Sequence, residues 1–222
     1  VYRLPVVTIP TNRPVRRQRR ADQVHVTADE KWAAIVESAR AHHAAGRPVL
    51  IGTRSVAASE HLSELLTQAA LPHQVLNARQ DQEEAKVIAA AGERGRITVA
   101  TNMAGRGTDI RLGPGVAELG GLHVLATERH DARRIDRQLF GRGGRQGDPG
   151  SYQAIVSLED EIVQELFGPY AARIGGRFPR AGRLLVTAAQ HMAERHNART
   201  RRELLRIDDH LSDMLAFTGR PE

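Results

Sequence analysis

Two short segments hold the residues best able to do chemistry. The first, Ala100-Thr-Asn-Met-Ala-Gly-Arg-Gly-Thr-Asp-Ile110, closes an apolar run with glycines at 105 and 107 and a carboxylate at 109. Glycines there let a backbone approach a ligand closely or take up positive φ. Phosphates would repel Asp109, but ribose hydroxyls can donate hydrogen bonds to it. Gly105, Gly107, Thr108 and Asp109 are therefore the candidate cofactor-binding residues. Capping of the following turn is the alternative role that spacing alone leaves open for Asp109.

The second segment, Gln138-Leu-Phe-Gly-Arg-Gly-Gly-Arg-Gln-Gly-Asp148, spaces Gln138, Arg142 and Arg145 four and three residues apart. If a helix continues through it, the three share one face. Gly141, Gly143 and Gly144 lie in the same stretch, and each costs about 1 kcal/mol relative to Ala inside a helix. Three of them imply close backbone approach or a bend. Two guanidinium groups aimed from such a place suit a bidentate grip on phosphate oxygens, as in an arginine finger that stabilises a departing γ-phosphate. Gln138, Arg142 and Arg145 are the candidate catalytic residues; a salt-bridged surface helix end is the plainer reading of the same spacing.

Other patterns are missing. The chain has no Gly-x-x-x-x-Gly-Lys-Ser/Thr phosphate cradle and no Asp-Glu-x-Asp run for magnesium. The arginines then have no phosphate to grip unless another domain supplies one, so this chain alone is expected to be inactive. No cysteine is present, which excludes disulfides and thiolate metal sites. The ten histidines are scattered, and none has metal-ligand spacing backed by a third ligand, so no metal site is expected. Net charge is +6, from 32 Lys+Arg against 26 Asp+Glu. That balance favours anionic partners such as nucleotide, nucleic acid or acidic headgroups, unless it reflects only an arginine-rich composition. The cluster Arg16, Arg17, Arg19, Arg20 reads as a solvated face or as a phosphate or lipid contact. No apolar run approaches the roughly 18 residues of a membrane helix. Val1-Tyr-Arg-Leu-Pro5 carries no signal pattern and reads as a cut from a longer chain.

The elements that must position these segments alternate. Strands are expected at Val6 to Pro10, Pro48 to Thr53, Gln74 to Asn77, Ile97 to Thr101, Leu122 to Glu128 and Tyr152 to Leu158. Helices are expected at Asp29 to Ala45 (capped by Thr27 or Asp29), Ser55 to Ala70, Gln80 to Ala91, Asp131 to Phe140 and Glu159 to Phe167. Residues 11–24 read as a loop. The alternation predicts an α/β fold with a mostly parallel sheet, ligands binding at the carboxyl ends of its strands. Residues 1–167 are expected to form one domain. Within 168–222, Gly168 to Arg183 reads as a linker and Leu184 to Leu215 as a long helix with a charged surface, suited to packing on a partner.

The ordered motifs resemble the SecA family. Val6-Val-Thr-Ile-Pro-Thr-Asn-Arg-Pro14 is similar to the segment re-entering the second motor domain, and Pro48-Val-Leu-Ile-Gly-Thr-Arg-Ser55 to the fourth helicase motif. Val75-Leu-Asn-Ala78 follows, then the fifth motif at Thr98 to Ile110, and Gly120 to Val124, Thr127 to His130 and Arg133 to Asp136 lead to the sixth at Gln138 to Asp148. Ala189 to Asn197 and Leu204 to Asp209 look like the start of the family's helical scaffold. The resemblance implies a RecA-like motor domain of a preprotein-translocating ATPase. ATP with Mg2+ would lie against a separate N-terminal motor domain that supplies the magnesium ligands. Asp109 would contact nucleotide, and Arg142 and Arg145 would sense the γ-phosphate. The implied partners are that N-terminal motor domain, preprotein, a SecYEG-type channel, anionic lipids and a second copy as a homodimer, at the inner face of a bacterial plasma membrane. A superfamily 2 nucleic-acid helicase is the alternative, although aromatics for base stacking are not interleaved with the basic residues, and nucleic acid is not the expected partner. Phe140 stands where the family usually has Arg, which would remove a positive charge beside the nucleotide.

Overall fold

The computed structural model describes residues 4–76, 87–101 and 108–217, the side chains at 179, 209 and 212–217 excepted. Among these, seven strands form one sheet: β1 (Arg16–Arg19), β2 (Gln23–His25), β3 (Val49–Thr53), β4 (Gln74–Leu76), β5 (Ile97–Thr101), β6 (Leu122–Ala126) and β7 (Pro149–Ser157). The order is β1-β7-β6-β3-β5-β4, with β2 also paired to β7, and every pairing is parallel. β3, β5 and β6 are buried along their whole length, which is why they read as near-continuous apolar runs.

Alternation along those strands builds two cores. Val49, Ile51, Ile97, Val99, Leu125 and Ile155 face α1 (Ala28–Ala44) and α2 (Val56–Gln68), which contribute Ile35, Ala39, Leu62 and Leu66. Leu50, Ala100, Leu122, Val124, Ala126, Ala154 and Val156 belong to the opposite core. That core is covered by α3 (Arg133–Phe140), α4 (Glu161–Phe167), α5 (Tyr170–Arg177) and the start of α6 (Pro179–Phe217). α1 starts in a capping box: the Glu30 amide donates to Thr27 Oγ1 at 3.2 Å, and the Glu30 carboxylate accepts from the Thr27 amide at 3.4 Å. The Ala58 amide donates to Ser55 Oγ at 3.1 Å at the head of α2.

Three expectations are corrected. Val6 to Pro10 is not a strand; Val6, Val7 and Ile9 are 83–89% exposed. The sheet edge is instead taken by β1 and β2, within the stretch read as a loop. These edge strands read as a loop because their exposed side chains are charged or polar and show no apolar alternation. The expected linker is also helical, as α5 and the first turns of α6, and Ala171, Val186 and Ala189 are buried in the sheet's core. The expected helix at 80–91 and Asn77 fall partly outside the described residues; 87–90 are helical. α6 has 39 residues, about 58 Å at 1.5 Å per residue. No helix among the described residues is long and apolar enough to cross a membrane.

A buried polar cluster ties α1 to the sheet. Arg47 donates to the carbonyls of Gly121 (2.7 Å) and Gly120 (2.8 Å) and to Ser151 Oγ (2.8 Å). Ser151 Oγ lies 2.7 Å from His123 Nδ1, and the His123 ring stacks on His42 at 4.2 Å. Burial, then the neighbouring His42, Arg47 and Arg20, pushes the His123 pKa down to about 3. The unfolded chain takes up this proton near pH 6.5 and the folded chain does not. The contribution of His123 to stability is therefore complete above about pH 6.5 and falls by roughly 1.4 kcal/mol per pH unit below it. Urea unfolding between pH 7 and pH 4.5 should show that slope, and His123→Gln should flatten it.

Candidate functional site

The second segment is held in place by Asp136, buried in α3. Its carboxylate accepts from the His130 amide (3.1 Å), His130 Nδ1 (2.7 Å), Arg129 (3.1 Å) and Gln190 Nε2 of α6 (2.7 Å). Burial disfavours its charge, but the bonds from His130 and Gln190 and the nearby Arg129 outweigh that and hold it below the ordinary carboxylate range. Arg129 reaches on to Asp22, between β1 and β2, at 2.7 Å. One network thus fixes α3 against both the sheet edge and α6.

α3 ends at Phe140, where the Gly141 amide closes the last turn on the Arg137 carbonyl at 2.8 Å. The helix does not continue, so Gln138, Arg142 and Arg145 do not share a helical face. Gln138 is exposed in the last turn of α3, and the two arginines lie on a loop, 141–148. Gly144 sits at φ +63°, and a Cβ there would come 2.8 Å from Arg17 Cβ, which is the close approach its residue type predicts.

That loop meets the first segment. Arg145 donates to Asp109 Oδ1 at 2.8 Å and, through Nε, to the Gly141 carbonyl at 3.1 Å. Arg142 donates to the Thr108 carbonyl at 3.3 Å. Asp109, Thr108, Arg142 and Arg145 are therefore brought together across more than 30 residues of sequence; Gly105 and Gly107 lie outside the described residues. The meeting point is not at the carboxyl ends of the strands, as expected. Loop 141–148 leads into β7 at the amino ends of β6 and β7. The chain after β5 runs back to it, with the Gly113 amide bonded to the Gly92 carbonyl, just ahead of β5, at 3.0 Å.

Asp109, Arg145, Arg17, Arg13 and Asn12 line a groove of about 760 Å³, with three guanidinium groups to one carboxylate. Such a lining suits an anionic ligand, although Arg17 is committed to the Gly143 carbonyl at 3.0 Å. Among the described residues, no group of three His, Asp or Glu could hold a metal ion.

Phe140 does not face this groove. It is buried, stacked on Tyr152 at 4.5 Å with the Arg129 guanidinium 5.9 Å over its ring. The expectation that it alters the charge beside the nucleotide is corrected: it is a core residue. Nothing in the sequence distinguishes Arg17 from its basic cluster. In β1 only Arg17 turns inward while Arg16, Gln18 and Arg19 are exposed, a difference that period-2 alternation does not predict.

The parallel sheet, its helical layers and the long final helix define a RecA-like motor fold. The crystal structure of the E. coli DEAD-box protein SrmB bound to RraA shares it, with a TM-score of 0.51 at 22% identity over 72% of this chain and 87% of that one. The model of the SecA P-loop domain family matches residues 14–117 and 114–174, and the chain belongs to that family. It is 50% identical to protein translocase subunit SecA 2 of Nitrosospira multiformis, over all of this chain and 34% of that protein. It is 49% identical to protein translocase subunit SecA of Nitratidesulfovibrio vulgaris, over 94% of this chain and 26% of that protein. The chain thus spans about a third or less of the length of these curated relatives.

Proposed function

We propose that this chain is the second motor half of an ATPase that moves preproteins across a membrane, and that its active site is complete only against an N-terminal motor domain of the same parent. The observation that carries this is the convergence of Asp109 with Arg145 (2.8 Å) and of Thr108 with Arg142 (3.3 Å), in a chain without a phosphate-cradle motif.

ATP, when bound, would supply the transferable γ-phosphoryl group, and Mg2+ would supply positive charge to offset that of the phosphates. In this reading Arg145 exchanges Asp109 for phosphate oxygens as the two motor halves close. Side chains of Arg145 and Asp109 are 36% and 41% exposed, and such pairs contribute only about 0–1 kcal/mol, so the exchange costs little. Asp109, released, accepts hydrogen bonds from the ribose hydroxyls. Arg142 stays anchored near Thr108 and stabilises charge on the leaving phosphoryl group. The magnesium ligands and the group that activates water come from the other half.

Movement leaves the site through α3. Its Asp136 is bonded to Gln190, so a shift of the arginine loop is felt in α6. Farther along α6, Leu204, Ile207 and Leu211 form an exposed stripe at helical spacing, suited to packing on another element of the parent. Residues 1–167 would be the motor domain and 168–222 would begin the scaffold. Preprotein, a SecYEG-type channel and anionic lipids are the proposed partners, at the inner face of a bacterial plasma membrane, with a homodimer as a further arrangement.

ATP turnover by the parent tests the reading. Unfolded preprotein together with channel-containing anionic vesicles should stimulate it several-fold. Stimulation by RNA instead, with steep salt dependence, would assign the same motor to a helicase.

A further inference from the structure

The loop that carries the arginines is gripped by β1 and the chain that enters it. Arg17 Nη1 donates to the Gly143 carbonyl at 3.0 Å, and its guanidinium lies 5.8 Å from the Tyr152 ring centre. Its Cβ occupies the space a side chain at Gly144 would need, at 2.8 Å. Arg13 Nη1 donates to the Gln146 carbonyl at 3.3 Å, and Arg13 Cδ stands 3.0 Å from where a Cβ on Gly147 would be.

The loop needs such a grip. Gly144, Gln146 and Gly147 all have positive φ, at +63°, +50° and +85°, so a regular helix or strand ladder cannot fix its shape. The same loop presents Arg145 to Asp109 and Arg142 to Thr108. Stability alone does not account for Arg17. Its Nε is buried without an acceptor among the described residues, which costs free energy that an apolar side chain would not incur.

We propose that Arg17 is a positioning residue: it holds the Gly143 carbonyl and so aims Arg145 and Arg142, coupling the segment that enters β1 to the phosphate-sensing loop. This rests on the arginine roles proposed above.

Arg17→Met tests it, keeping a stem over Gly144 while removing the donor; Arg17→Lys keeps charge and one donor without the planar fork. In the parent, Arg17→Met should lower kcat for ATP about tenfold or more, a loss of at least ~1.4 kcal/mol of transition-state stabilisation. KM should stay within about twofold and the melting temperature within a few degrees, with Arg17→Lys recovering part of the rate. In this chain, the Arg145 Nε–H resonance, bonded to Gly141, should move to the position of solvated arginines in Arg17→Met. An unchanged kcat and resonance, or a kcat that falls only with the folded fraction, overturns the proposal. If Arg145→Ala slows turnover and Arg17→Met does not, the positioning role alone fails; if neither slows it, the arginine roles fail as well.

Discussion

Replacing Arg145 by alanine in the full-length parent should lower ATP turnover about 10³-fold while nucleotide affinity changes by less than about tenfold. The asymmetry follows from what Arg145 does in each state. In the resting chain it holds Asp109 at 2.8 Å in a partly exposed pair, worth at most about 1 kcal/mol. In the transition state it would face charge spreading over the phosphoryl oxygens, in a cleft closed to water, where a fixed guanidinium contributes about 4 kcal/mol or more. Arg142→Ala should act in the same direction. Arg145→Lys should remain strongly impaired, because an ammonium cannot reproduce the bidentate fork. Single-turnover rates beside nucleotide titrations separate the two quantities. Wild-type kinetics in Arg145→Ala would remove the finger from the account.

Asp160→Ala should be the most destabilising of the changes considered, by about 3–5 kcal/mol, lowering the melting temperature by roughly 10 °C. Lys31 on α1 and Asp160 at the head of α4 are almost wholly buried and meet at 2.6 Å. Asp160 also accepts from the Ser157 amide (2.9 Å) and Ser157 Oγ (2.8 Å), at the end of β7. Truncating it leaves an ammonium and two donors buried without their acceptor. The burial of the charge, not the contact alone, sets the size of the loss. The double variant Lys31→Met/Asp160→Leu should accordingly recover much of the stability. Urea unfolding of the two variants decides this; a double variant as unstable as the single one would show that packing, and not the stranded charge, dominates.

How far the sequence carries can be judged residue by residue. β3, β5 and β6 are legible because a strand buried on both faces must be apolar throughout. The cap residues Thr27 and Ser55 are legible because a helix head needs a side-chain acceptor. The two chemical segments stand out by residue type, and the glycines at 143 and 144 announce close approach. What is not legible depends on distant neighbours. β1 and β2 are strands only because β7 offers an edge, and their arginines disguise them. The end of α3 at Phe140 is legible from the glycines that follow it; the turn of its loop onto Asp109, 36 residues back, is not. The inward turn of Phe140 requires Tyr152 and Arg129, and Asp136 becomes the hub of the site only because Gln190 arrives from α6, 54 residues later.

In the proposed reading this chain holds half of a site. The most direct test is the steady-state ATPase activity of the purified 222-residue chain beside that of its full-length parent, at equal molar concentration. The account predicts background hydrolysis for the chain, unchanged by Arg145→Ala, and robust turnover for the parent. Hydrolysis by the chain alone at a rate near the parent's, abolished by Arg145→Ala, would contradict it.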